Sequence, residues 1–542
     1  MNFASMWEAV ADRRPDAVAQ IHGTRRTTFR EYDERAARLA GALAARGVAP
    51  GAKVALYLFN CNEYLEAVCA AMKLRAVPVN VNYRYLAEEL HYLLENSDAE
   101  VLVYHGALAE RVAAVRDRLP ALRHLIQVET TAEDHVPPLP GATEYEATLR
   151  EAAPAPRIER GEGEHIFLYT GGTTGMPKGV MWTHKALYAQ LSASYLPLGR
   201  PAPATLDEVG QAAADLEAIG AGGAGLAAAP LMHGMAWFSS MGRLMIGGAV
   251  VSLPSRSFDA HEFWRAVQAH RIAAATIVGD AFARPLVEAL VEAEERGTPY
   301  DISSLGMIVS GGVMWTPTWK QPFLARGVMM LIDGLGSSEA TGAAMMISMA
   351  GQDLATARFQ LGPDARVIGD DGRDVMPGSG AVGVIAISGD ALPDGYYKDD
   401  AKTEATFRVI DGRRYAIPGD YATVEADGTI TLLGRGSVCI NTGGEKVFPE
   451  EVEEVLKLHP AVLDCTVVGV PDAKWGQAIT AVVACSAPPP DAAALVAHAR
   501  ERLAAYKSPK HVVFVERVLR SPAGKADYRW ALDRAKAELG VA

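Results

Sequence analysis

The stretch YTGGTTGMPKGV, residues 169–180, consists of small and hydroxylated residues and ends in Pro177, Lys178, Gly179 and a valine. The apolar run 166–168 precedes it and predicts a buried strand that ends where the stretch begins. Glycines let a backbone approach a ligand closely, and free N–H groups, hydroxyls and one ammonium create positive potential. The stretch therefore predicts a loop at a sheet edge that binds polyphosphate.

This loop differs from the P-loop of nucleotide hydrolases. No G-x-x-x-x-G-K-[ST] pattern fits it, because Lys178 is followed by Gly179 and not by a hydroxyl that could bind Mg²⁺. A flexible surface turn is the alternative interpretation, but a bare turn seldom combines several threonines and glycines with a proline and a lysine. A different nucleotide chemistry is therefore expected.

Composition sets the broad class of the protein. At 542 residues the chain should form two or more domains, and its net charge of −13 argues against a nucleic-acid surface. No apolar run approaches the roughly 18–20 residues of a membrane span, so no integral membrane association is expected. The amino terminus lacks the pattern of a signal peptide, and five scattered cysteines show no C-x-x-C spacing. These features predict a cytoplasmic protein with reduced thiols.

Short β-rich runs alternate with helical stretches along most of the chain. Predicted strands lie at 54–59, 76–81, 100–104, 124–128, 274–278 and 307–312, and predicted helices include 64–74 and 88–97. Such alternation is typical of an α/β fold with largely parallel sheets. We therefore predict a large amino-terminal domain of packed mixed and parallel sheets with helices.

The pattern changes near residue 434. The residues downstream can form a compact α+β unit of their own, which predicts a domain over 1–434 and a small mobile domain over 435–542. The sequence from Gly434 to Ser437 is the candidate hinge between them.

Gly220, Gly222 and Gly225 match the G-x-G-x-x-G pattern of dinucleotide-binding folds by letter alone. The preceding segment, 205–219, has the pattern of a polar helix, whereas that fold requires a buried strand there. An NAD-dependent dehydrogenase is therefore only a remote alternative. A hydrolase would need a nucleophile elbow, and no convincing G-x-S-x-G is present.

Four further motifs follow the loop at 169–180 in order. They are DGLGSSEATG at 333–342, PGDYA at 418–422, GRGSVCINTGGEKVFPEEVE at 434–453 and SPAGKADYRW at 521–530. With these motifs the chain resembles the adenylate-forming superfamily, which includes acyl-CoA synthetases, firefly luciferase and the adenylation domains of peptide synthetases. The resemblance covers nearly the whole chain.

The resemblance implies a two-step reaction with ATP, Mg²⁺ and coenzyme A. A carboxylate would attack the α-phosphate of ATP, and the acyl-adenylate would then pass its acyl group to a thiol. The implied nucleotide contacts are Thr170, Thr173, Thr174 and Lys178 at the β- and γ-phosphates, Ser338 at the α-phosphate, Glu339 at Mg²⁺, Asp420 and Arg435 at the ribose, and Gly311, Gly312, Asp333, Gly334 and Leu335 at adenine.

Lys525 resembles the lysine that reaches between the carboxylate and the α-phosphate in this superfamily. An ammonium there would offset negative charge that develops in the transition state. In the family the small domain then rotates, which would replace Lys525 by the loop at Gly443 and Gly444 for thiol attack. The resemblance places His233 at the acyl pocket, and the neighbouring apolar residues Met235 and Trp237 are candidates to line it.

Two departures from the family pattern affect the expected contacts. Leu335 stands where many relatives have an aromatic residue that stacks on adenine, so adenine would meet an aliphatic surface. Ser437 stands at the hinge position that is usually Asp or Lys. Neither change removes a group that adenylation requires.

The motifs look most like those of actinobacterial acyl-CoA ligases for bulky polycyclic acids, such as steroid or diterpenoid carboxylates. We therefore expect an ATP-dependent carboxylate–CoA ligase for such an acid or for a long-chain acid, and a homodimer is a further expectation. Transfer of the acyl group to a carrier-protein thiol or an amine is the close alternative. A luciferase-like oxygenase or a non-catalytic adenylate-binding module would share the motifs.

Overall fold

A computed structural model describes residues 1–129, 136–170, 176–313, 315–352, 354, 358–442, 445–472, 474–521 and 524–541. Four predicted contacts, Thr173, Thr174, Gly443 and Gly444, lie outside the described residues. Within this part of the chain, no helix is long and apolar enough to cross a membrane.

The regular elements follow one another in an α/β order. The helices are α1 Phe3–Arg13, α2 Phe29–Ala45, α3 Asn62–Lys73, α4 Ala87–Asn96, α5 Ala109–Ala113, α6 Tyr145–Glu151, α7 His184–Leu191, α8 Leu206–Ala218, α9 Gly234–Met245, α10 Ala260–His270, α11 Gly279–Glu295, α12 Pro317–Ala325, α13 Asp400–Thr406, α14 Pro449–Lys457, α15 Ala492–Arg500 and α16 Tyr528–Leu539. The strands are β1 Val18–His22, β2 Arg25–Thr28, β3 Lys53–Tyr57, β4 Val77–Asn80, β5 Ala99–His105, β6 His124–Val128, β7 Ala142–Glu144, β8 His165–Thr170, β9 Lys178–Thr183, β10 Gly225–Ala227, β11 Val250–Ser252, β12 Ala274–Ile277, β13 Met307–Gly311, β14 Met330–Leu335, β15 Ala344–Ser348, β16 Arg358–Leu361, β17 Ala365–Ile368, β18 Val382–Ile387, β19 Gly395–Tyr396, β20 Phe407–Ile410, β21 Arg413–Ala416, β22 Asp420–Val424, β23 Ile430–Arg435, β24 Ile440–Thr442, β25 Glu445–Val447, β26 Val462–Asp472, β27 Gly476–Cys485 and β28 His511–Val515. The predicted strands and helices are all present, with ends shifted by no more than a few residues.

Two sheets form the large amino-terminal part. The first has the strand order β2-β1-β11-β10-β12-β13-β14-β15-β16-β23-β22-β18-β21-β20, with β17 paired to β18, and it is parallel from β1 to β14 except for the edge strand β2. The second has the order β19-β9-β8-β4-β3-β5-β6-β7 and is parallel from β8 to β7. The predicted mixed and parallel α/β architecture is therefore confirmed.

Helix α3 lies between these two sheets. All of its residues are buried, and it contacts β1 of the first sheet and β3 and β4 of the second. Its sequence, NEYLEAVCAAMK, still contains charged residues, and each of these has an opposite partner. Glu66 accepts a hydrogen bond from Arg35 at 2.9 Å, and Lys73 donates to Glu8 at 2.6 Å. Pairing is what makes burial of these charges tolerable, since an isolated buried charge would cost several kcal/mol.

A third sheet forms the carboxy-terminal part of the chain. Its order is β25-β24-β27-β26, with β28 added parallel to β27, and α14 and α16 pack against β26. The last strand of the large sheet, β23, ends at Arg435, and a 3-10 helix at Gly436–Val438 leads into β24. The connection between the two parts therefore lies within a few residues of the predicted hinge.

The glycine pattern at 220–225 has a structural explanation. It follows helix α8 and precedes strand β10, which is the reverse of the order in a dinucleotide-binding fold. A Cβ at Gly225 would lie 2.9 Å from the Nε of Arg243, and the guanidinium of Arg243 donates to the carbonyl of Gly223 at 3.1 Å. Gly225 therefore makes room for the side chain of Arg243, and the helix-to-strand order gives the pattern no dinucleotide-binding context.

Candidate active site

The parallel strands β13 and β14 end side by side at the centre of the first sheet. Gly311 pairs with Gly334, and a Cβ at Gly311 would overlap the Cε of Met235 and lie 3.1 Å from the carbonyl oxygen of Gly334. Gly312 follows with a positive φ of 85°. Because ligands of parallel sheets bind beyond the carboxyl ends of the strands, this edge is the natural position for a bound nucleotide.

Asp333 is buried at the same edge and already has a charged partner. Lys320 of α12 donates to its carboxylate at 3.3 Å, and the two side chains are 0% and 4% exposed. Burial raises the pKa of Asp333 to about 6, and burial also lowers the pKa of Lys320. Sequence reasoning missed Lys320, although a lone lysine inside the apolar helix WTPTWKQPFLA indicates a buried partner.

Glu339 and Lys178 both approach the side chain of Tyr396. The hydroxyl of Tyr396 donates to Oε1 of Glu339 at 2.6 Å, and Nζ of Lys178 lies 5.8 Å from the centre of the same ring. Lys178 also forms an ion pair with Asp399. Burial and the carboxylate of Glu339 raise the pKa of Tyr396. The structure therefore brings together the end of the phosphate loop and the predicted magnesium ligand, through two residues that sequence reasoning missed.

The other described residues that are predicted to contact phosphate, Thr170 and Ser338, lie near this group. Thr170 pairs with Lys178 across the antiparallel strands β8 and β9, so both ends of the glycine-rich loop are held in one hairpin. The indole of Trp182 donates to the main-chain carbonyl of Ser338 at 3.0 Å, which ties the segment before Glu339 to β9.

Asp420 and Arg435 face each other on neighbouring strands. They are paired in the register of β22 and β23, and Arg435 donates through Nε to Asp420 at 3.1 Å. The Asp420 carboxylate raises the pKa of Arg435. This arrangement agrees with the prediction that the two residues act at one place.

Lys525 approaches these residues from the carboxy-terminal part. It lies in a tight loop in which the N–H of Ser521 donates to the carbonyl of Lys525 at 2.8 Å, and Gly524 has a positive φ of 68°. A Cβ at Gly524 would lie 3.0 Å from Val278 and 3.4 Å from Ala281, so this loop packs against the large domain.

The charges around Lys525 show which groups it meets. Removal from bulk water and the positive charge of Arg435 lower its pKa, while the carboxylates of Glu339 and Asp420 oppose that change. Four residues that are far apart in the sequence therefore form one electrostatic group between the two parts of the chain.

The three predicted acyl-pocket residues have different environments. His233 precedes α9, and its Nε2 is buried without a hydrogen-bond partner in the described part of the chain. Burial and the nearby Lys525 lower its pKa to about 4, so the imidazole is neutral at pH 7. Met235 lies against Gly311, whereas Trp237 is buried between Tyr64 and Phe238 with ring-centre distances of 6.1 and 5.9 Å. Trp237 is therefore part of the core, which does not favour its predicted acyl contact.

The donor set can be compared with what Mg²⁺ requires. Among the described residues, no three His, Cys, Asp or Glu side chains are grouped so that they could hold a metal. Mg²⁺ commonly binds one or two carboxylates together with substrate phosphates, so Glu339 beside Lys178 fits a metal that arrives with ATP.

Comparison with known proteins agrees with this geometry. The family described as AMP-binding enzyme matches residues 7–397, and the AMP-binding enzyme C-terminal domain matches residues 451–525. This chain belongs to the AMP-binding enzyme family. The resemblance to adenylate-forming enzymes is thereby confirmed.

Similar members of the AMP-binding family are actinobacterial ligases. The 3-oxocholest-4-en-26-oate–CoA ligase of Rhodococcus rhodochrous is 41% identical over 98% of this chain and 96% of the relative. A medium-chain acyl-CoA ligase of Mycobacterium avium is 43% identical over 97% of each chain. The crystal structure of an anthranilate CoA ligase with anthranoyl-AMP has a TM-score of 0.83 at 22% identity and covers 99% of this chain and 98% of that one. The last likeness concerns the fold.

Proposed function

We propose that this AMP-binding enzyme is an ATP-dependent acyl-CoA ligase for bulky polycyclic acids of the steroid or diterpenoid type, or for long-chain acids. The observation that carries the proposal is the grouping of Lys525, from the carboxy-terminal part, with Glu339, Asp420 and Arg435. The curated relatives support the choice of acid, since one acts on a steroid carboxylate and another on medium-chain acids.

The first step joins the acid to AMP. A carboxylate oxygen of the acid attacks the α-phosphorus of ATP, and the bond to the pyrophosphate oxygen breaks. Lys525 would place its ammonium between the two anionic reactants and would offset the charge that develops there. Lys178 and Thr170 would hold the departing pyrophosphate, and Ser338 would contact the α-phosphate. Mg²⁺ on Glu339 would supply charge neutralisation at the phosphates.

The second step transfers the acyl group to coenzyme A. The thiol of CoA loses its proton and attacks the acyl carbonyl carbon, and AMP leaves as the carbon–oxygen bond breaks. We infer that the carboxy-terminal part moves between the steps about the joint near Arg435, so that 1–434 and 435–542 act as separate domains. The short connection at Gly436–Val438 supports this division.

The nucleotide pocket follows from the strand ends. Adenine would lie along Gly311, Gly312 and Gly334, with Leu335 as an aliphatic surface, and the ribose hydroxyls would meet Asp420 beside Arg435. Neutral His233 suits the position next to the acid, because a second cation would compete with Lys525 for the carboxylate. We further propose a cytoplasmic enzyme, supported by five unpaired cysteines, and a homodimer as its assembly.

One experiment tests the reaction and the acid together. ATP–pyrophosphate exchange is measured with aliphatic, aromatic, steroid and diterpenoid acids, and the assay is repeated with CoA while thioester and AMP are quantified. A ligase gives acid-dependent exchange and a CoA-dependent burst of AMP and thioester. Exchange without thioester would favour transfer to a carrier thiol or an amine, and oxygen-dependent products would favour an oxygenase. No exchange with any acid would refute adenylation.

A further inference from the structure

An apolar face of the first sheet extends outward from the site. On β14 the side chains of Met330 and Ile332 point to the same side as Gly334, because they alternate along the strand. The register places Ile347 of β15 beside Ile332, and Met345 beside Gly334. On the other neighbour, β13, Met307 and Val309 lie beside Met330 and Ile332.

The opposite face of these strands belongs to the core. Ile308 and Leu331 are fully buried, and Asp333 is held by Lys320 of α12 on that side. The apolar face is different, since Met345 is 43% exposed and Ile347 is 47% exposed. Large side chains of this kind in one continuous strip are unusual on a surface that meets only water.

We call this apolar face the strip, and it is continuous with the candidate reaction site. The strip consists of Met307, Val309, Met330, Ile332, Met345 and Ile347. Its inner end is the pair Gly311 and Gly334, and Met235 lies against Gly311. Helix α9 covers the neighbouring strand β12, where the hydroxyls of Ser239 and Thr276 are 3.3 Å apart. The strip therefore begins at the edge of α9 and runs away from the helix over β13, β14 and β15.

We propose that the strip holds the distal, apolar part of the acid, and that Ile347 and Met345 are specificity-determining residues for long and polycyclic substrates. This inference rests on the proposed function and names where the substrate lies. The four residue steps from Gly334 to Met330 span about 13 Å, which suits an extended hydrocarbon or fused rings and exceeds what a short acid can reach. All six side chains are apolar and none can form a directed hydrogen bond, so the strip selects by size and shape.

The outer end of the strip is exposed to solvent, so acids of different lengths would fit on it. An acid that passes Ile347 reaches solvent, so a polar group at its far end, such as a ring ketone, would remain hydrated. Closed pockets lack this property, because a buried ketone without a donor loses its hydrogen bonds to water. The strip therefore fits a large acid that is apolar in the middle and polar at both ends.

The test compares Ile347→Glu with the unaltered enzyme on two acids. One is a steroid carboxylate, and the other is the shortest straight-chain acid that supports pyrophosphate exchange. Each methylene that loses its contact lowers affinity about four-fold, so we expect KM for the steroid acid to rise at least ten-fold. KM for the short acid should stay within two-fold, since that acid does not reach β15.

Val382→Glu is the matched control. Val382 is also on an exposed strand position of the same sheet, at 46% exposure, but on β18. Val382→Glu should leave KM for the steroid acid and KM for the short acid unchanged. An equal rise of KM with both acids in Ile347→Glu, or no rise with the steroid acid, would overturn the proposal. Ligase activity of the unaltered enzyme would leave the proposed function standing in either case.

A binding readout separates this inference from the reaction itself. A steroid acid that carries a photoreactive diazirine on its terminal ring is irradiated with the enzyme, and labelled peptides are mapped. We expect label between Met330 and Ile347, and less of it in Ile347→Glu. Label confined to other segments would refute the assignment. Absence of ligase activity with every acid would instead refute the proposed function.

Discussion

Replacement of Glu450 by glutamine should stabilise the protein, and increasingly so as pH rises. Glu450 begins α14 and lies directly over Gly434, where a Cβ would overlap its carboxylate, and its Oε2 is buried without a hydrogen-bond partner among the described residues. Burial, followed by the charge of Glu453 on the same helix, raises its pKa to about 8 from 4.5. Three other groups face the carboxyl group of Glu450. Asp420 of β22 also raises the pKa of Glu450, the main-chain N–H of Arg435 of β23 donates to its carboxylate, and Tyr528 of α16 is the third.

The direction of the pKa shift decides how the stability of the protein depends on pH. A carboxyl group whose pKa is raised by folding favours the folded state fully only below its ordinary pKa, and that contribution is lost as pH rises to about 8. Each pH unit well below the folded pKa costs about 1.4 kcal/mol and the slope falls as pH approaches it, so the unaltered protein should lose about 2 kcal/mol between pH 6 and pH 8 through this one group. Glutamine cannot ionise, so Glu450→Gln should not show this loss of stability between pH 6 and pH 8.

Thermal unfolding at pH 6 and pH 8 measures the effect. For a chain of this length that unfolds as one unit, about 2 kcal/mol corresponds to about 2 °C in Tm. The difference in Tm between Glu450→Gln and the unaltered protein should therefore grow by this amount from pH 6 to pH 8. The comparison between variants cancels other titrating groups, including Glu454, whose pKa burial also raises to about 8. The exposed Glu445→Gln serves as control and should follow the unaltered protein. If Glu450→Gln also follows it at both pH values, the carboxyl group is not buried at this joint as described.

Three further substitutions test the site. Lys525→Ala should lower acyl-adenylate formation at least 100-fold, as loss of a preorganised charge does, but should change thioester formation from preformed acyl-adenylate only a few-fold; equal losses would remove its assigned role. Tyr396→Phe should raise KM for Mg²⁺-ATP roughly ten-fold in pyrophosphate exchange, because the hydrogen bond that orients Glu339 is lost, and an unchanged KM would show that this bond is not used. Gly524→Val should selectively impair the first half-reaction, since its positive φ and its contact with Val278 leave no room for a side chain; an unimpaired first step would contradict the packing described.

The sequence predicted the elements and the grouping of the candidate site residues because periodicity and motif order can be recognised without knowledge of contacts. Hydrophobic periodicity located strands such as 124–128, and motif order indicated that Glu339, Asp420 and Lys525 share one site. Tyr396 was missed because its partner, Glu339, lies 57 residues away and on a different element, and periodicity does not specify contacts between elements. The apolar strip was missed for the same reason, since it becomes continuous only when the registers of β13, β14 and β15 are known.

A charged residue of the candidate site can contact substrate through its side chain only if its present ion pair breaks at little cost. Exposed pairs meet this condition and buried pairs do not. Lys178 and Asp399 are 40% and 31% exposed, so phosphate oxygens can replace Asp399 as the partner of Lys178 at little desolvation cost. Lys320 and Asp333 are almost completely buried, and breaking such a pair leaves an uncompensated charge that costs several kcal/mol. The carboxylate of Asp333 is therefore committed to Lys320. The predicted adenine contact would therefore fall to the main chain of Asp333 or to its neighbour Gly334, and the Asp333 side chain would fix the end of β14.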